Sequence, residues 1–136
     1  MGETLQSYRD ALMALNALLQ PYDMHFGYRV VDEILLYLWN ARALEDPAFG
    51  LDVAFDHQIC QKILPKLHGS QAKLQKPLEA LLDFCIGGYV DHRSVGALKN
   101  KSVQELREEG VSYPHASRKI LRMMDALEKE GFASFA

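Results

Sequence analysis

The residues best suited to binding an anion lie in the run His25 to Arg29, HFGYR, which precedes a predicted helix. The N–H groups in the first turn of a helix have no acceptor within the helix and carry a partial positive charge. Gly27 leaves those groups accessible, and Arg29 adds a cation where the helix dipole disfavours one unless an anion is nearby. Arg29 and Gly27 are therefore candidate anion-binding residues. The alternative is an exposed arginine that pairs with Asp32 or Glu33, or whose stem covers the core.

A second candidate site lies in residues 103–135. A short helix, a glycine turn and a longer helix that ends in LEKEGF are typical of winged-helix DNA-binding modules. The residues that would face the DNA groove are His115, Ser117, Arg118, Lys119 and Arg122. The region has five basic and six acidic residues, which is a weak electrostatic footprint for DNA binding. The alternative is that Met123, Met124 and Leu127 simply close the core.

Sequence motifs that carry chemistry in common enzyme families are absent from the chain. It contains no GxxxxGKS/T phosphate loop, no GxGxxG turn, and no GxSxG, HExxH or EF-hand pattern. Asp52, Asp56 and Asp83 are interpreted as isolated acidic residues at helix surfaces or ends. The chain is therefore predicted not to be an enzyme by itself.

Histidines and cysteines are numerous enough to raise the question of a metal site. His57, His68 and His92, together with Cys60 and Cys85, match no standard spacing of a zinc finger, ribbon or knuckle. No metal site is therefore predicted. The two cysteines lie among apolar residues at helical spacing and are interpreted as buried free thiols, which suits a cytoplasmic protein.

The length and charge of the chain limit the classes of protein to which it can belong. Its 136 residues fit one domain with a single core. The formal net charge of −3 gives no general attraction to nucleic acid or to an anionic membrane. No apolar run approaches the roughly 20 residues that cross a bilayer, so no membrane partner is expected.

Hydrophobic spacing predicts an all-α fold, a bundle of five or six helices in one domain covering residues 1–136. Leu5, Tyr8, Leu12, Leu15 and Leu19 form the stripe of the first helix. The predicted helices cover residues 4–19, 28–44, 51–67, 71–86, 102–109 and 114–130. Residues 87–101 are predicted to be a long loop or a small hairpin.

Prolines, glycines and capping residues set the predicted boundaries. Pro65 should kink or end the third helix near Leu64, and Pro77 implies a later start or a kink in the fourth. Ser70 is the predicted N-cap of the fourth helix. The other boundary signals are Pro21 after the first helix, a capping box of Ser102 and Glu105, Pro114 at the start of the last helix and Gly131 at its end. Phe132 and Phe135 are predicted to fold back onto the core.

Three stretches together resemble one family. They are FGYRVVDEILLYLW at 26–39, FDHQICQKILPKLHGSQAKL at 55–74 and YPHASRKILRMMDALEKEGFASF at 113–135. They are similar to the region that follows the ATPase core in AAA+ proteins of the McrBC type, the methylcytosine-specific restriction motors and their relatives. The resemblance implies a helical lid packed beside a nucleotide-binding core.

In such lids an arginine called sensor 2 reaches the phosphates of the bound nucleotide, and Arg29 occupies the matching position. The implied partners are a AAA+ core domain and neighbouring subunits, and the implied cofactor of the parent protein is ATP or GTP with Mg²⁺. The motifs of that core are missing from this chain, so hydrolysis is not implied for it. The sequence thus predicts a C-terminal lid-like domain. The alternatives are a DNA-binding module at 103–135 and a protein–protein docking domain, which would expose a large apolar patch.

Overall fold

The apolar stripes of the sequence fold as α-helices that bury them in one shared core. A computed structural model describes residues 3–43, 50–87 and 95–134 of the chain. The helices in these ranges are α1 (Glu3–Leu19), α2 (Tyr28–Ala43), α3 (Leu51–Gln58), α4 (Gln71–Ile86), α5 (Val95–Leu98), α6 (Val103–Glu108) and α7 (Pro114–Glu130). The predicted all-α fold is confirmed. Helix α5 is a single turn, and the other six correspond to the six predicted segments.

The third predicted helix changes its geometry before its proline. Helix α3 ends at Gln58, a π-helical turn covers Ile59–Ile63, and a 3-10 turn covers Leu64–Lys66. Pro65 lacks an N–H group and cannot donate to a carbonyl one turn earlier, so it disfavours α-helical geometry in the turn before it. The predicted interruption is confirmed, and it begins several residues before Leu64.

Helix α4 begins at Gln71, so the alternative of a later start is wrong. Pro77 lies within the helix and is buried. Ser70 occupies the N-cap position as predicted, but its side chain accepts no hydrogen bond from the helix. The N–H of Gln71 donates instead to the carbonyl oxygen of Gly131, at 3.0 Å. A backbone contact with the end of α7 therefore takes part of the role of a side-chain cap.

Two short strands join the start of α4 to the end of α7. Strand β1 (Gly69–Ser70) pairs antiparallel with β2 (Phe132–Ala133), with Ser70 opposite Phe132. Successive side chains in a strand point to opposite faces. Ala133 is buried and Phe132 is 53% exposed, so the prediction that Phe132 folds back onto the core is wrong. Phe135 lies outside the described residues.

The capping box that opens α6 is confirmed. The N–H of Glu105 donates to the Ser102 hydroxyl oxygen, and the N–H of Ser102 donates to the Glu105 carboxylate, both at 3.2 Å. Gly131 ends α7 in the left-handed conformation, with φ of 74°. Residues 88–94 lie outside the described ranges, and the rest of the 87–101 segment contains α5 rather than a strand.

One hydrophobic cluster unites side chains from all seven helices. Helix α4 packs against α7, and α2 packs between α1 and α3. The largest fully buried side chains include Phe26, at the start of α2, and Phe55, in α3. Among the described residues no helix is long and apolar enough to cross a membrane.

Candidate functional site

The loop that leads into α2 is held in place from both sides. The N–H of Phe26 donates to the Asn16 side-chain oxygen of α1, at 2.7 Å, and the Phe26 ring is buried. Before it, the N–H of Met24 donates to the carbonyl of Leu19, at 3.2 Å. Asp23, directly before Met24, adopts a left-handed φ of 58°. The N-terminal end of α2 is therefore fixed relative to α1.

Gly27 begins α2 by accepting hydrogen bonds from the N–H groups of Val30 and Val31, at 3.1 and 3.3 Å. A Cβ atom on Gly27 would meet no atom within 4 Å, so crowding does not require glycine here. The open space in front of Gly27 leaves the first turn of α2 accessible from solvent.

Arg29 projects from this first turn, with a side chain that is 92% exposed. Its Nε lies 3.4 Å from Glu33 Oε1, one turn along the helix. The other oxygen of Glu33 lies 3.1 Å from Lys62 Nζ, and the hydrogen bond from Lys62 lowers the pKa of Glu33. Glu33 is thus shared between two cations. The guanidinium group has five donors, and the contact with Glu33 uses only one of them.

The outer face of α2 also carries exposed apolar side chains. Tyr28, Leu36, Tyr37 and Trp39 are four of the six large hydrophobic side chains that are exposed among the described residues. The guanidinium of Arg42 lies 4.0 Å from the centre of the Trp39 ring, a cation–π contact. Arg29 therefore lies at one end of an exposed aromatic and aliphatic surface.

The predicted DNA-contact residues fall into two groups. His115, Arg118, Lys119 and Arg122 line one cavity of about 220 Å³, together with Val103 and Cys60. Ser117 is fully buried, so its predicted contact with a DNA groove is wrong. It lies on the same face of α7 as Ile120 and Leu121, three and four residues later, which are also buried. The winged-helix alternative would also need a wing after α7, whereas in the described residues β2 pairs with the strand before α4.

The start of α7 is held by a carboxylate from α3, which the sequence analysis missed. Both oxygens of Asp56 accept backbone N–H bonds, from His115 and Ala116, each at 2.8 Å. Asp56 is only 1% exposed, although the sequence pattern placed it at a surface. Its burial raises the pKa of the carboxyl group, and the two N–H bonds oppose that shift. This contact joins the first turn of α7 directly to α3.

Aromatic rings surround this contact. Phe55 lies 5.0 Å from Tyr8 and 5.2 Å from Tyr113, measured between ring centroids. The Tyr8 hydroxyl donates to Asp52, and burial together with that carboxylate raises the pKa of Tyr8. These rings join α1, α3 and the residue before α7. Their role is structural support for the start of α7.

Cys85 is buried in the core as predicted, whereas Cys60 is only partly buried and lines the cavity that contains Arg118 and Arg122. Burial raises the pKa of Cys60 to about 12 and also raises the pKa of the fully buried Cys85. Among the described residues no group of three or more histidine, cysteine or acidic side chains is arranged to hold a metal ion. His92, one of the histidines considered above, lies outside those residues.

A family model described as a domain of unknown function (DUF8727) matches residues 2–132, nearly the whole chain. No curated protein and no solved structure matches this chain. Every candidate site residue lies within the matched range.

Proposed function

The chain belongs to the DUF8727 family. From the resemblance of its three stretches to the region after a AAA+ core, and from the exposed Arg29, we propose that it is a nucleotide-sensing lid domain of a AAA+ NTPase. The observation that carries the proposal is the exposed Arg29 side chain in the first turn of α2. A guanidinium group there has most of its donors directed to solvent, next to N–H groups that favour an anion. Catalysis by this chain alone is not part of the proposal.

Phosphates of ATP or GTP, with their Mg²⁺, are the proposed anion. A terminal phosphate can accept two parallel N–H bonds from one guanidinium group. The contact of Arg29 with Glu33 joins only Nε and one carboxylate oxygen, 3.4 Å apart, and so does not form such a pair of bonds. Glu33 would hold Arg29 when the phosphate is absent and release it when the phosphate is present. Because Glu33 also contacts Lys62, this exchange would reach the segment after α3.

The exposed face of α2 provides an apolar contact surface, a property that the lid proposal shares with the docking-domain alternative. Tyr28 lies next to Arg29 and is 68% exposed, and Leu36 and Trp39 continue the apolar surface along the helix. A lid needs an apolar surface to pack against its nucleotide-binding core, and exposed apolar patches mark such contacts. The proposed partners are that core and neighbouring subunits of a ring in the cytoplasm.

Arg29→Ala tests the proposal in the protein or complex that contains this domain together with its AAA+ core. We expect NTP turnover to fall by at least about tenfold, as for the loss of other charge-stabilising groups in phosphoryl transfer. The thermal midpoint should change by less than about 2 °C, since the side chain is solvent-exposed.

Two further variants make the result specific. Arg29→Lys keeps the charge and loses the planar fork, so it should restore only part of the turnover. Arg9→Ala removes another exposed arginine, on α1, and should leave turnover unchanged. Normal turnover in Arg29→Ala, or a large loss of thermal stability, would make Arg29 a structural residue and remove the basis of the proposal.

A further inference from the structure

We propose that a basic cleft on α7 binds the phosphate backbone of a nucleic-acid strand. Two adjoining cavities form this cleft, one of about 270 Å³ and the other of about 220 Å³. Arg118 and Arg122 line both of them. This inference does not depend on the lid function, because it uses a different helix from the one that carries Arg29.

Positive charge dominates the cleft although the chain as a whole is acidic. Five cationic side chains line the two cavities against one carboxylate, that of Asp125. The cations are Lys99, Lys101, Arg118, Lys119 and Arg122. Lys101 is paired with Glu109, and Lys99 with both Asp125 and Glu128. Lys99 and Lys101 at the rim therefore share their charge with carboxylates, whereas Arg118 and Arg122 line both cavities.

Arg118 and Arg122 differ from the lysines of the cleft in their ion pairing within the described ranges 3–43, 50–87 and 95–134. Neither Arg118 nor Arg122 forms an ion pair with any of the described residues, whereas the lysines at the rim of the cleft do. The arginines are four residues apart, so their side chains lie on neighbouring turns of the same face of α7. Each can direct a planar fork of N–H donors into the cleft.

A nucleic-acid strand fits this arrangement better than an acidic peptide does. A phosphodiester backbone carries a charge at every residue, so a strand in both cavities offers consecutive phosphates to the two arginines. A peptide would need several consecutive acidic residues to present the same series of negative charges. The side chains of Leu121 and Val103 provide apolar walls for sugars or bases, and Asn100 provides an uncharged polar contact.

The cleft is positioned by long-range contacts rather than by a flexible loop. Asp56 fixes the first turn of α7 through the N–H groups of His115 and Ala116. The pairing of Lys99 with Asp125 fixes the opposite wall against the middle of α7. Arg118 and Arg122 therefore project from a helix whose place is set before the ligand arrives, which lowers the entropic cost of binding.

Fluorescence anisotropy with the full chain tests the inference. The probes are labelled single-stranded DNA, duplex DNA and RNA of one sequence, each of about 20 nucleotides, and a labelled polyglutamate peptide. We expect binding to at least one nucleic acid, weakening as salt is raised. The variant Arg118→Gln with Arg122→Gln should weaken that binding by at least about tenfold and make the salt dependence less steep.

The matched control is Arg9→Gln with Lys76→Gln, which makes the same change in net charge with two exposed residues outside the cleft. This control should change the affinity by less than about twofold. If the double cleft variant does not fold, Arg122→Glu alone replaces it, because Arg122 is exposed.

Comparing the affinities for the DNA and RNA probes identifies the type of nucleic acid that the cleft binds. A preference for either one supports the inference. Three results would overturn it: no binding of the wild-type chain to any of the three nucleic acids, equal losses in the cleft and control variants, or tighter binding of polyglutamate than of every nucleic acid. The last result would assign the cleft to an acidic protein instead.

Discussion

Replacing Asp56 by alanine removes the one side chain that connects α3 to the start of α7 through two hydrogen bonds. The N–H groups of His115 and Ala116 would then lose their acceptor in a buried position. A hydrogen bond to a charged group contributes roughly 1.5–3 kcal/mol, and loss of an N-cap alone costs about 1 kcal/mol. The two bonds share one carboxylate, and its burial offsets part of their contribution.

We therefore expect Asp56→Ala to lower the free energy of unfolding by about 3 kcal/mol, near the low end of two charged hydrogen bonds. For a domain of this size that corresponds to a fall in the thermal midpoint of about 10 °C. Asp56→Asn keeps one acceptor oxygen for one of the two N–H groups. It should lose roughly half as much stability.

Urea unfolding measures these losses, followed by far-ultraviolet circular dichroism and by the fluorescence of Trp39, the single tryptophan. Asp32→Ala is the control, because Asp32 is an exposed carboxylate on α2 and its removal should change stability by less than about 0.5 kcal/mol. A loss below about 1 kcal/mol for Asp56→Ala would refute the idea that this carboxylate holds α7 in place.

Three more predictions follow from local contacts. Cys60, with a pKa of about 12, and buried Cys85, whose pKa is also raised, should react with a thiol reagent at pH 8 at least about a hundredfold more slowly in the folded chain than in urea. Equal rates would contradict the raised pKa values of the two thiols. Ser102→Ala should cost about 1 kcal/mol in urea unfolding by removing the capping box, and a loss near zero would mean that α6 does not need it. The pKa of Asp125 is lowered by its bond with Lys99, so its stabilising effect is present above about pH 4 and is lost as the pH falls through the folded-state pKa. Thermal midpoints measured against pH should therefore fall less steeply in acid for Asp125→Asn than for the wild type, and parallel curves would contradict the ion pair.

The helices could be predicted from sequence because their signals are local. The stripe of Leu5, Leu12 and Leu19 repeats within a few turns, and the capping box of Ser102 and Glu105 spans four residues. The burial of Ser117 could also have been predicted, since Ser117 lies on the same helical face as Ile120. The prediction relied on its polar side chain and placed it on the solvent face, although its spacing from Ile120 favours the buried face.

Other features depend on contacts between distant parts of the chain. Asp56 lies 59 residues before His115, and nothing near Asp56 indicates that it caps another helix. The pairing of Ser70 with Phe132 brings together strands of only two residues, too short for an alternating pattern to be visible. The cleft likewise requires α7 to meet the segment around Lys99, which the spacing of basic residues along one helix does not show.

The ratio of nucleotide affinities tests the central claim most directly. Dissociation constants for a non-hydrolysable triphosphate and for the diphosphate, of both adenosine and guanosine, are measured with the complete AAA+ protein or complex. If Arg29 senses the terminal phosphate, the wild type binds one triphosphate at least about fivefold more tightly than its diphosphate, and Arg29→Ala brings that ratio close to one. If Arg29→Ala leaves the ratio unchanged, Arg29 does not sense nucleotide, and the lid proposal is contradicted.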